Sequence, residues 1–389
     1  MDIAKAKIEQ ACKLLDELDI DLWLLFVRES SMQADPALPL VIGFDVTWQS
    51  FFAFSRTGKS YALVGNFDDE NVRRSGRFSE VHSFTQSVRD DFCNLIDRIV
   101  PRTIAVNYST SDPAADGLTH GMYQLLCEYL ANTPYADRLI SAEDLLSKLR
   151  SRKLDIEISR LSSSAITAVE AWRAATARIL PGMTEIEIAA VIDDEIQRRN
   201  VIPSFSTIVN AGDKSKPGHA LPSTAKLEPG DLLHVDFGVK LDDYCSDLQR
   251  LIYFRRPGES TAPQELIDAF EHVADIITET AALCRPGAQG HEIDSEARKM
   301  LVEHGYPEYQ HALGHQLGRA VHDGGAIIGP KWERYGRAPT MPMDSNNAFT
   351  LELEIILPGI GCVGLEEDIC VTETGGRFLC PRQQELIIR

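Results

Sequence analysis

Positive charge is scarce in this sequence. Its 39 lysines and arginines face 58 aspartates and glutamates, for a formal net charge of −19. Such a molecule repels phosphate backbones and anionic membranes, so neither nucleic acid nor membrane is expected as a partner. Long apolar runs are absent too: no uncharged stretch approaches the roughly 18 residues of a membrane span. The N-terminal stretch MDIAKAKIEQACKLLDELDID alternates charged and apolar residues and reads as an amphipathic helix, not a signal peptide, which makes the cytoplasm the default location. None of the eight cysteines (Cys12, Cys93, Cys127, Cys245, Cys284, Cys362, Cys370 and Cys380) forms a CxxC pair or a zinc-finger spacing, so buried free thiols are expected. No GxSxG elbow is present to supply a nucleophilic serine.

What is present suits a globular chain. Hydrophobic residues make up 44% and charged residues 25% of 389 positions, close to the soluble average. That length suggests two or three domains. Residues 1–152 mix helices and strands. DLWLLFV is a buried-strand run, FFAFS and SYALVG form a hairpin around Thr57–Lys59, and helices are expected near 86–100 and 115–131. This part holds only His82 and His120 of the ten histidines and no clustered chemistry. A charged helical stretch near 150–155 is the expected hinge to a second domain, 153–389.

The second domain carries a faint repeat. ARILPGMTEIEIAAVIDDEI and ALCRPGAQGHEIDSEARKML each read as helix, Pro-Gly break, helix, with Thr184 and Glu187 forming a capping box. Pro-Gly is common punctuation between helices, so the pattern alone leaves true repetition open.

The chemistry lies in three segments. In GDLLHVDFGVKLDDYCSDLQRLIYF, Asp236 and Asp247 fall in two strand-like runs of a hairpin centred near 241–242, roughly opposite each other. Two carboxylates side by side cannot both stay ionised without a partner, and a divalent cation supplies one. HALGHQLGRAVHDGG places His311, His315 and His322 among glycines and apolar residues. Any one of them alone reads as a core histidine; together they suit metal binding or proton transfer. FTLELEIIL and VGLEEDICVTETG embed Glu352, Glu354 and Glu366 in strand-like sequence, where a buried charge must be paired or coordinated. Glu367 and Asp368 are expected on a solvated edge. His234 is expected to pack beneath the site, Glu354 behind it, and His272, His291 and His304 on helical surfaces. Several carboxylates with an imidazole suit manganese, cobalt, iron or zinc, and two such ions activate water for hydrolysis.

In that order, these residues resemble the pita-bread metallopeptidases, in the branch of prolidase (Xaa-Pro dipeptidase), aminopeptidase P and creatinase. The resemblance covers about 155–389, and residues 1–152 look like the N-terminal domain of that branch. It implies an α/β (α+β) chain: a creatinase/prolidase-like α/β domain followed by a pita-bread catalytic domain. Asp236 would bind one metal, Asp247 and Glu366 would bridge two, and His315 and Glu352 would complete the second. Glu352 would shuttle the proton. His322 and His219 would face the substrate from opposite walls, and His311 matches the extra histidine of the prolidase and aminopeptidase P form. The implied cofactors are two divalent ions, manganese first, with cobalt, zinc or iron also suited. The implied substrate is a short peptide cleaved after its N-terminal residue, and the implied assembly is a homodimer. Creatinase-like hydrolysis of a non-peptide C–N bond, or a non-catalytic binding role, are the alternatives. Three positions depart from the family pattern: Gln249 for threonine, Leu353 for proline and Gly364 for arginine. The 327–349 segment looks long, and its Trp332 and Tyr335 either line the pocket or anchor a surface loop.

Overall fold

The computed structural model describes residues 2–214, 218 and 220–389. The chain divides into two compact units, Met1–Arg150 and Ser151–Arg389. No helix among the described residues is long and apolar enough to cross a membrane.

The first unit is built on a six-stranded mixed sheet ordered Glu80–Phe84, Ser60–Gly65, Ser50–Ser55, Leu22–Val27, Ile104–Val106, Leu139–Ser141. Leu22–Val27 is buried throughout because its alternating side chains feed two cores. Trp23, Leu25 and Val27 pack with Ile8 and Leu15 of the N-terminal helix Ile3–Glu17, while Leu22, Leu24 and Phe26 pack with Phe92 and Leu126. The hairpin expected around Thr57–Lys59 is present, with Phe54 opposite Ser60.

The second unit contains two helix pairs, Asp155–Thr176 with Glu185–Gln197, and Gln264–Leu283 with Gly290–Glu303. Each pair turns over a Pro-Gly. Thr184 N donates to Glu187 Oε2 at 2.8 Å and Glu187 N to Thr184 Oγ1 at 3.2 Å; Gln289 N donates to Glu292 Oε2 at 3.3 Å at the matching place. Trp172, Ile188 and Ile192 of the first pair pack on Val235, Phe237 and Leu248. Phe270, Val273 and Ile293 of the second pack on Leu351, Leu353 and Val363. The sheet beneath them runs Ala348–Leu357, Gly361–Thr372, Leu248–Tyr253, Leu232–Phe237, Ile208–Ala211.

The hairpin register differs from the sequence expectation. Its turn is Asp242-Asp243, both with positive φ (50° and 70°), as two-residue hairpin loops favour. The turn centre falls about one residue later than expected, so Asp236 lies opposite Gln249, not Asp247. Asp247 sits two residues before Gln249 and keeps the same side by the alternation of the strand.

Candidate metal centre

The sheet register assembles the site. Asp236 pairs with Gln249, Gln249 with Glu366, and Glu366 with Glu352. Three acids thus stand in one row across four neighbouring strands. Asp247 joins them from beside the row, and His315 arrives on the short strand Gly314–His315. That segment crowds the Glu352 strand: a Cβ on Gly314 would lie 1.9 Å from the Thr350 carbonyl oxygen, so only glycine fits there.

One donor atom each from Asp247, His315 and Glu366 falls within 4.8 Å of the others. His315 Nε2 is 3.6 Å from Asp247 Oδ2 and 4.0 Å from Glu366 Oε1. His315 Nδ1 lies 3.2 Å from the Gln316 carbonyl oxygen, to which it can only donate. The Nε2 lone pair then faces the carboxylates, the tautomer a metal requires. His322 packs edge-on against His315, with ring centroids 4.3 Å apart.

The electrostatics call for positive charge. Burial pushes Asp236 up to about 7 and, with the charges of Asp236 and Glu354, Glu352 up to about 8. Burial and the neighbouring carboxylates hold Asp247 and Glu366 well above the usual carboxylate range. Burial, then His322, takes His315 down to about 3. Asp236 Oδ1, Asp247 Oδ1 and Glu366 Oε1 are buried without a hydrogen-bond partner among the described residues. Unsatisfied oxygens of this kind beside a neutral imidazole fit a divalent cation in donor type and charge. A cavity of about 560 Å³ opens above them, lined by Asp236, Asp247, His315, His322, Glu352 and Glu366 with Phe205, Leu221, Lys240 and Arg319 among its other walls.

Other expected residues are placed differently. His219 lies outside the described residues. His311 does not line this cavity: its Nδ1 donates to the Ala312 carbonyl at 2.7 Å, and its own carbonyl accepts from Arg298 at 2.7 Å. Trp332 and Tyr335 stack on each other 5.8 Å apart, with the Arg334 guanidinium over both rings, and do not line the cavity either. The solvated edge expected for Glu367 and Asp368 is wrong, since both are fully buried. Their strand is interior to the sheet, with neighbours on both sides. Glu367 is paired with Arg250 at 3.0 Å, and Asp368 Oδ2 accepts from the Asp247 backbone N–H at 3.3 Å. Arg250 also donates to the Glu366 carbonyl at 3.0 Å. These groups fix the backbone of Asp247 and Glu366, a role the sequence did not reveal.

Beneath the row, His234 Nε2 lies 3.0 Å from Gln249 Oε1 and Nδ1 lies 3.2 Å from the Asn210 side-chain amide. Burial lowers the His234 pKa, so the ring is neutral and donates through one nitrogen only. Nε2 faces Gln249 Oε1 and Nδ1 faces Asn210 Oδ1, so the single ring proton goes to one of these two oxygens.

The model of metallopeptidase family M24 matches residues 159–373, which include all of these acids and His315. The chain belongs to metallopeptidase family M24. The pita-bread resemblance and the two-part α/β architecture are thereby borne out, and the family implies divalent metal ions. An M24 relative, the Xaa-Pro dipeptidase of Pyrococcus horikoshii, is 26% identical over 390 residues, covering 100% of both chains. The solved Xaa-Pro dipeptidase from Bacillus anthracis matches with a TM-score of 0.78 at 25% identity, over 99% of this chain and 100% of that one. The X-Pro aminopeptidase from Thermotoga maritima shares the fold, with a TM-score of 0.75 at 24% identity over 98% and 99%.

Proposed function

We propose that this M24 member is a dinuclear metal-dependent exopeptidase that removes the N-terminal residue of short peptides with proline in second position. The observation that carries the reading is the row of Asp236, Glu366 and Glu352 with Asp247 and His315 beside it, in which one buried oxygen each of Asp236, Asp247 and Glu366 lacks a hydrogen-bond partner among the described residues. The relatives named as Xaa-Pro dipeptidases support the substrate class. In this reading Asp236, Asp247, His315, Glu352 and Glu366 would hold two divalent ions, with manganese as the proposed metal.

Bound divalent ions would supply an acidified water and balance the buried negative charge. The protein's own groups do the rest. Glu352, one of the acids that would hold the cations, is assigned to take the proton of the attacking water and pass it to the leaving nitrogen. His322 donates to the scissile carbonyl oxygen as negative charge gathers there, and His219 is assigned to the facing wall. The apolar side chains of Phe205, Ile208, Leu221 and Val321 offer the cavity a surface for a proline ring. We assign residues 1–152 to restricting access to free peptide ends, with a homodimer and a cytoplasmic location as parts of the same proposal.

The test is metal-stripped protein reloaded with Mn²⁺ and assayed in parallel on Ala-Pro, Ala-Pro-Ala and Ala-Ala-Ala. Release of alanine from a proline-containing peptide, lost in Asp247→Ala, is the expected result. Intact peptides with Mn²⁺, Co²⁺ and Zn²⁺ alike would sink the peptidase reading. The Gln249 and Gly364 departures beside the row would then favour a creatinase-like C–N hydrolase.

A further inference from the structure

The long 327–349 connection stands away from the cavity wall, yet it closes around the segment that delivers His315. It begins as the strand Ile327–Ile328, with Ile327 opposite His315. That strand is seated on the helix Gly290–Glu303, where a Cβ on Gly290 would lie 1.9 Å from the Ile327 carbonyl oxygen. Residues 304–313, between that helix and the strand Gly314–His315, belong to no helix or strand. Two arginines hold three of their consecutive carbonyl oxygens. Arg298 of the helix donates to the carbonyls of Tyr309 and His311, both at 2.7 Å, and Arg334 of the connection donates to that of Gln310 at 2.7 Å. Asp294 completes the grip from the helix side. Its Oδ2 accepts from Arg298 Nε at 2.6 Å, and its Oδ1 accepts from the Tyr309 hydroxyl at 2.9 Å and the Leu313 N–H at 3.3 Å. Trp332 joins the two arginines, whose guanidinium carbons lie 5.3 and 4.6 Å from its ring centre.

Charge-assisted bonds to successive carbonyls fix a stretch of chain that no sheet fixes, and contact with the aromatic faces keeps each guanidinium aimed. That stretch runs straight into the imidazole of the cation-binding set. We infer that Trp332 and Arg334 are positioning residues for the metal centre: they hold residues 309–311 so that His315 is in place before an ion arrives. This rests on the metal-centre reading above and not on the substrate class. It also gives the long connection a use at a distance from the cavity. A ligand ordered in advance need not be ordered when the ion binds, so the clamp acts on affinity for the ion.

The experiment titrates Mn²⁺ and Co²⁺ into the metal-stripped full chain by calorimetry, in wild type, Trp332→Ala, Trp332→Phe and Arg334→Ala. The visible absorption of the Co²⁺-loaded protein reports how the ion is ligated, and melts of the metal-stripped forms report folding separately. Trp332→Ala and Arg334→Ala are expected to weaken binding roughly tenfold and to alter the Co²⁺ spectrum. Trp332→Phe keeps an aromatic face for both arginines and is expected to stay within about threefold of wild type. Arg334 is exposed, so Arg334→Ala carries the test alone if Trp332→Ala does not fold. A clamp that serves the fold alone would lower the melts and leave the titrations as they are. Wild-type affinity and spectrum in the folded alanine variants would therefore overturn the assignment and leave the metal centre standing. A wild type that takes up neither ion would remove both.

Discussion

Gly364 exists as glycine because the Gln249 side chain occupies its space: a Cβ on Gly364 would lie 2.7 Å from Gln249 Oε1 and 2.7 Å from His234 Nε2. Two departures from the family pattern, far apart in sequence, are therefore one change in space. Gln249 reaches over Gly364 to His234, 3.0 Å away, from the strand between those that carry Asp236 and Glu366. Gly364→Ala is expected to cost roughly 1–3 kcal/mol through overpacking, read from urea denaturation. Gln249→Ala should relieve part of that cost, giving a coupling of about 0.5 kcal/mol or more in a double-mutant cycle. Strict additivity would refute the relationship.

Lys153 and Asp323 make a nearly solvent-free ion pair at 2.7 Å, with side chains 1% and 4% exposed. Asp323 follows His322 directly, so the pair tethers the loop that presents that imidazole to the cavity. Lys153→Met should destabilise the chain by about 3–5 kcal/mol, because it removes one partner of a buried ion pair. The double variant Lys153→Met with Asp323→Leu should recover part of this. A single variant as stable as the wild type in thermal melts would contradict the assignment.

The metal-free protein should have an unusual pH dependence. Asp236 and Glu352 have folded-state pKa values near 7 and 8, above the ordinary carboxylate values of an unfolded chain. The folded state therefore binds more protons than the unfolded one between about pH 4 and 8. Their contribution to stability is fully present below that window and is lost as pH rises through it. The Tm of metal-stripped protein should fall from pH 5.5 to pH 8.5, and saturating Mn²⁺ should flatten the slope while releasing protons. A Tm that rises over the same range without metal would argue against the buried, protonated row.

Glu352→Gln keeps the shape of the row and removes the proton acceptor. The expected loss in kcat is on the order of 10²–10⁴-fold. Atomic spectrometry should still find metal bound through Asp247, His315 and Glu366. Activity within a few-fold of wild type would exclude Glu352 as the proton carrier.

The acids of the site were legible because carboxylates inside apolar strands are costly, and that cost is local information. Asp236, Glu352 and Glu366 each announce themselves in a window of a few residues. Glu367 and Asp368 did not, because what makes their burial possible is non-local: Arg250 lies across the sheet, and Asp368 receives its hydrogen bond from Asp247. The hairpin register was misread by a one-residue shift of the turn centre, which only the positive φ values at Asp242 and Asp243 settle. The surroundings of His311, Trp332 and Tyr335 were not legible for the same reason as those of most loop residues. Their surroundings depend on Arg298 and Arg334, whose geometry no spacing rule encodes.

The row from Asp236 through Gln249 and Glu366 to Glu352 also sets a condition on biosynthesis. Its members meet only when strands more than a hundred positions apart have paired, and such non-local pairing forms late and slowly. No nascent or truncated fragment that stops short of Glu366 can complete the cation-binding set, however well its helices have formed. Metal capture thus requires that the chain has been made at least through Glu366 and its strands paired, and a shorter nascent chain is kept from acting as a hydrolase.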